Sequence, residues 1–173
     1  MKAKDFILVT ITWVSLVAQI ILTFAINGWY NYYDIKALEI IGWVFWGLSI
    51  IFGVLPIFYF RKKGEVPKKS SYVKTTKLVD TGIYSIVRHP QFLAGIFWSL
   101  ALVFISQQWV IDILFVPVVV TTYLDTLRAD KVLIEKFGDE YRDYKNKVPG
   151  LNVLWGVIKL TLRKAKNDKR TKL

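Results

Sequence analysis

Leu78-Val79-Asp80-Thr81-Gly82-Ile83-Tyr84-Ser85-Ile86-Val87-Arg88-His89-Pro90-Gln91-Phe92-Leu93-Ala94-Gly95 is the stretch where a polar, basic loop gives way to an apolar run. It holds the chain's single histidine, His89, between Arg88 and Pro90. Proline is tolerated in a first helical turn because its missing N–H would have no partner there anyway. Pro90 is therefore expected to open a helix whose N-terminal end faces Arg88 and His89, a place where an anion can dock.

Outward from that junction, the composition points to a membrane. In 173 residues, read as a single domain over 1–173, hydrophobic residues make up 54% and mean hydropathy is +0.37, too apolar for a soluble domain of this size. There is no cysteine, which excludes a disulfide framework, thiolate metal sites and a thiol nucleophile. One histidine and no carboxylates at ligand spacing argue against a metal site. The net charge of +11 sits at the flanks of apolar runs, the pattern of loops touching anionic headgroups and not of a nucleic-acid surface.

The expected fold is an all-α integral membrane protein with about four transmembrane helices. Residues 6–26 run without a charge for about the 20 residues a bilayer core requires, too long for a signal-peptide core. Trp29, Tyr30, Tyr32 and Tyr33 then read as an interfacial aromatic belt. A second span covers 38–60, with Pro56 inside it and Arg61-Lys62-Lys63 closing it. Its small residues Gly42, Gly47, Ser49 and Gly53 let another helix approach. A basic loop over 64–77 returns the chain to Leu78. Spans over 91–106 and 110–127 leave only Gln107 and Gln108 for a turn, which makes them an antiparallel hairpin. Basic flanks place both termini in the cytoplasm.

The region 128–173 is expected to lie on the cytoplasmic side. Val132, Leu133, Phe137, Tyr141 and Tyr144 recur at helical spacing with charges between them, and Gly138 is expected to break this run into two short helices. Leu151 to Leu162 reads as an interfacial helix. The basic tail from Arg163 to Leu173 is expected to be disordered until it meets acidic lipid.

Two groups of residues resemble the isoprenylcysteine carboxyl methyltransferase family and its phospholipid methyltransferase relatives. The first is Leu78-Val79, Gly82, Tyr84 and Arg88-His89-Pro90. The second is Leu133, Phe137-Gly138, Tyr141, Tyr144 and Val148-Pro149. The resemblance implies S-adenosylmethionine as cofactor, with Leu78, Val79, Gly82, Tyr84, His89, Pro90 and Gln91 lining its pocket. The implied partner is a lipophilic small molecule or lipidated substrate taken from among membrane lipids.

The chain departs from the family where it has Ala129-Asp130 in place of a usual Glu-Glu pair, and Phe92 in place of a tyrosine. Asp130 is then left to bind the cofactor's amine, with Asp125 as a possible helper. Independently of any family, Tyr84 can stack on a purine and His89 can hold a carboxylate. Arg128 is the candidate that orients an anionic acceptor, since a guanidinium forks onto carboxylate or phosphate. Arg128 and Asp130 are thus the catalytic candidates. No Gly-x-Gly occurs, so a doubly wound cofactor domain is not expected. The alternatives are a phospholipid N-methyltransferase, a membrane reductase with a nicotinamide cofactor, and a non-catalytic protein that keeps the fold.

Overall fold

The computed structural model describes residues 3–26, 35–65 and 75–171, with side chains from 6 to 165 within those ranges. The aromatic belt at Trp29 to Tyr33 and most of the basic loop lie outside the described residues. Helices carry the fold in the order α1 (Ala3–Ile26), α2 (Lys36–Lys63), a 3-10 turn at Gly82–Ser85, α3 (Pro90–Ser106), α4 (Trp109–Lys147) and α5 (Val153–Thr171).

Three of these helices are long and apolar enough to cross a membrane: Phe6–Ala25, Lys36–Lys63 and Trp109–Lys147. The protein is an integral membrane protein on this ground, and large apolar side chains such as Trp13, Phe24, Trp43, Phe58 and Trp109 stand exposed where lipid can cover them. The expectation of about four spans included 91–106. That helix, α3, has 17 residues, about 25 Å against a hydrocarbon core of about 30 Å. Its bounds are Pro90 and the left-handed Gln107 (φ 51).

The chain folds as two compact units. The first comprises Met1–Ile51 and Phe92–Ala129. Its hub is the fully buried Gln19, which donates to the Ile111 carbonyl at 3.0 Å and accepts from the Ser99 hydroxyl at 2.5 Å, tying α1 to α3 and α4. Thr12 and Thr121 share a hydrogen bond of 2.6 Å, and Ser49 donates to the Ala94 carbonyl at 2.9 Å. Gly42 brings α2 close to α3, because a Cβ there would lie 3.0 Å from the Ala101 carbonyl oxygen. Phe45 packs on Phe97 and Phe104. The turn of the hairpin is closed by the Gln107 side chain, which exchanges two hydrogen bonds with the Ile35 backbone.

The second unit comprises Phe52–Gln91 and Asp130–Leu173, and it holds the two motifs described above. Gly64 ends α2 and accepts from the Thr76 amide at 2.9 Å, returning the chain toward residues 78–90. Arg163 donates to the Ser85 carbonyl at 2.9 Å. Gly156 lets α5 lie on the Ile86 carbonyl, which a Cβ would meet at 2.0 Å. The expected disorder of the tail is corrected for the backbone up to Thr171, where α5 continues. Its physical reason is that Arg, Lys and Ala are good helix formers, and extension from an existing helix avoids the cost of nucleation.

Candidate functional site

Residues 78–90 are held from several sides within the second unit. Val79, Ile83, Tyr84 and Val87 are buried. Gly82 sits at φ +64, and a Cβ there would overlap the Tyr59 ring at 2.1 Å, so both its backbone and its surroundings call for glycine. Phe60 stacks on Tyr84 with ring centroids 4.8 Å apart. The Tyr144 hydroxyl donates to the Tyr84 carbonyl at 2.6 Å. The Arg88 amide donates to the Pro149 carbonyl at 3.0 Å and the His89 amide to the Gly150 carbonyl at 3.1 Å. The two sequence motifs therefore meet main chain to main chain.

Their side chains meet at Asp130. Arg88 spans its two carboxylate oxygens at 3.1 Å each. His89 Nε2 lies 2.7 Å from Oδ1 and the Tyr141 hydroxyl donates to the same oxygen at 2.6 Å. Lys145 Nζ completes the set at 3.0 Å from Oδ2. The Asp130 side chain is only 3% exposed. On a straight helix Tyr141 would stand about 16 Å along the axis from Asp130, beyond the reach of a phenol. The fold-back comes at Gly138, whose φ 58 and ψ −132 leave helical geometry and return Tyr141 and Lys145 to Asp130.

The charge balance of this cluster is one carboxylate against two fixed cations, Arg88 and Lys145. From Arg128 onward α4 is charged and lies beyond its apolar stretch. Burial alone would raise the Asp130 carboxyl, but hydrogen bonds from His89, Tyr141 and Lys145 and the Arg88 charge hold it well below the usual carboxylate range. Burial, then the hydrogen bond to Asp130 and its charge, push the Tyr141 hydroxyl above the usual range, so it stays protonated and donates. Arg88 Nε is buried and has no hydrogen-bond partner among the described residues. A donor left so costs about 1–3 kcal/mol unless a ligand oxygen meets it.

Most of the residues singled out from sequence lie in this unit. Pro90 opens α3 as expected, and it is buried together with Val79, Tyr84 and His89. Leu78 and Gln91 are half-buried and Gly82 is exposed. Asp125 accepts from Arg128 at 3.3 Å, one turn along α4. Both oxygens of Asp130 are held by protein donors. Sequence reasoning missed Arg88 and Lys145 as its partners and placed Tyr141 only in a run at helical spacing and in the second motif. The break expected at Gly138 is present, and it turns residues 11 apart into neighbours.

Comparison with known proteins bears on the same residues. Residues 67–134 match the model of the isoprenylcysteine carboxyl methyltransferase (ICMT) family. A protein-S-isoprenylcysteine O-methyltransferase of Saccharomyces cerevisiae is 38% identical over 85 residues, covering 46% of this chain and 36% of that protein. The Mus musculus protein of the same name is 32% identical, covering 48% of this chain and 30% of its own length. The Homo sapiens one is 31% identical with the same coverage. The matched region thus spans about a third of the length of these curated relatives. No solved structure matches. Over residues 67–134, which include Arg88, His89, Pro90 and Asp130, the chain is similar to the isoprenylcysteine carboxyl methyltransferase family.

Proposed function

We propose that this protein is an integral membrane methyltransferase that passes a methyl group from S-adenosylmethionine to a lipophilic acceptor, of which an S-isoprenylated cysteine carboxylate is the leading class. The observation that carries the reading is the meeting of Arg88, His89 and Asp130 in one buried cluster inside the family-matched segment. When bound, the cofactor supplies an electrophilic methyl on a sulfonium. The protein's part is to position two reactants and exclude water. The net positive cluster and the unpartnered Arg88 Nε suit the cofactor's carboxylate, and Tyr84 with Leu78, Val79, Gly82, Pro90 and Gln91 is proposed to line the rest of its pocket. Asp130 is proposed to act through its partners, fixing the direction in which Arg88 and His89 point.

A carboxylate acceptor is already an anion and needs no general base. Arg128, whose side chain is 34% exposed, is proposed to orient that anion. The basic flanks of the spans support cytoplasmic N- and C-termini.

Calorimetry of the detergent-purified protein with S-adenosylhomocysteine tests the reading. Arg88→Lys keeps a charge for Asp130 but removes the Nε donor, and is expected to weaken binding by about 1.5–3 kcal/mol. Arg128→Ala is expected to spare that binding and depress turnover of an S-isoprenylated cysteine. A folded wild-type protein that binds no S-adenosyl ligand would sink the proposal.

A further inference from the structure

The C-terminal limb of α4 and α5 flank an open recess of about 270 Å³ lined by Asn146, Lys147, Lys159, Leu162 and Arg163. Three of its lining residues, Lys147, Lys159 and Arg163, are cationic. Lys159 Nζ donates to the Asn146 carbonyl at 3.2 Å. Arg163 donates to the Lys159 and Ser85 carbonyls. These partners are neutral, and among the described residues none of the three cations is ion-paired to a carboxylate. Elsewhere in the same unit Arg88 and Lys145 share Asp130, and Arg142 pairs with Asp139. The recess is thus a place of uncompensated positive charge.

Its rim is apolar on one side. Leu162 lines the recess and is itself 63% exposed. At 100° per residue Leu154, Trp155, Ile158 and Leu162 fall within an arc of about 100° on α5, and all four are exposed. Lys159 and Arg163 follow about 40° and 80° further round. The opposite side of α5 is the one seated on the protein through Gly156. A ligand that satisfies both features has an anionic head and an apolar tail, which a free phosphate does not. The chain's own spans keep α5 tethered to a bilayer, so such molecules are present at high effective concentration.

We propose that this recess binds the phosphate of an anionic phospholipid, with its acyl chains laid on the exposed apolar arc of α5. The proposal does not depend on methyl transfer.

The full chain in a neutral maltoside detergent, titrated into mixed micelles that carry a fluorescent-tailed phosphatidylglycerol, gives the affinity by anisotropy. Saturable binding is expected, and Lys147→Gln with Lys159→Gln should weaken it about twenty-five-fold, since each basic side chain near an anionic surface contributes about five-fold. Lys131→Gln with Arg142→Gln, two exposed cations outside the recess, should leave it within about two-fold. Leu162→Gln alters an exposed side chain, so it carries the test if the lysine pair fails to fold; several-fold weaker lipid binding is expected. Unchanged affinity in the recess variants, an equal loss in the control pair, or equal binding of a phosphatidylcholine probe would each overturn the proposal. Displacement of the probe by inorganic phosphate at lower concentration than by unlabelled phosphatidylglycerol would overturn it in favour of a free phosphate.

Discussion

Each of the two units is organised around one buried polar side chain, but the two hubs are of different chemistry. In the first unit Gln19 is neutral and exchanges hydrogen bonds with a hydroxyl and a carbonyl. In the second, Asp130 is charged and gathers Arg88, His89, Tyr141 and Lys145. A neutral amide can join helices in hydrocarbon without the cost of an ion there. An ionised hub is stable only where its partners satisfy it, and removing one partner leaves the others as buried, uncompensated charge. The difference predicts which unit fails first under mutation and acid.

The largest effect is expected at Asp130. Asp130→Ala should destabilise the second unit by about 3–5 kcal/mol, because Arg88 would be left buried without its counter-ion. Acid should act in the same direction. The folded carboxyl binds its proton less readily than the unfolded one, so its contribution is full above about pH 4 and declines as pH falls below that. Hydrogen-exchange mass spectrometry across this range should show the amides of residues 84–88 and 141–148 losing protection before those of 99–122. Simultaneous loss in both sets would break the comparison.

An intermediate effect is expected at Gly138. No atom stands within 4 Å of a Cβ built there, so Gly138→Ala tests backbone strain alone, at about 1–3 kcal/mol. A thermal melt of the purified protein measures it, and a neutral substitution would mean that the fold-back does not depend on this φ. The smallest effect is expected at the neutral hub. Gln19→Leu should cost about 1 kcal/mol, as interhelical hydrogen bonds in membranes do, and should show no dependence on pH. A larger loss than at Asp130 would invert the ranking of the two hubs.

The long apolar runs made the spanning helices legible, because hydrocarbon thickness translates directly into residue count. Pro90 and the Gln107-Gln108 turn were legible for a similar reason, each being a local backbone constraint. Span count was less so, since a 17-residue helix sits between a buried helix and a crossing one. In the site, His89 and Asp130 could be named from motif resemblance, whereas their pairing with each other could not. Hydrophobic periodicity reports which face of a helix is apolar and is silent on where a chain folds back. The break at Gly138 was expected, whereas the return of Tyr141 to Asp130 was not. Lys145, exposed in type and charged, carried no pattern that would separate it from its neighbours.

The Gly138 reversal also bears on the order in which the site can assemble. Tyr141 and Asp130 are 11 residues apart, whereas Arg88 and Asp130 are 42 apart. By the logarithmic growth of loop entropy, closing the longer segment costs about 1 kcal/mol more. The Asp130 to Lys145 half is thus a local, fast-closing element that can form as soon as its own residues are available. The Arg88-His89 half must arrive from a distance, and it docks onto a carboxylate already pointed by its near neighbours.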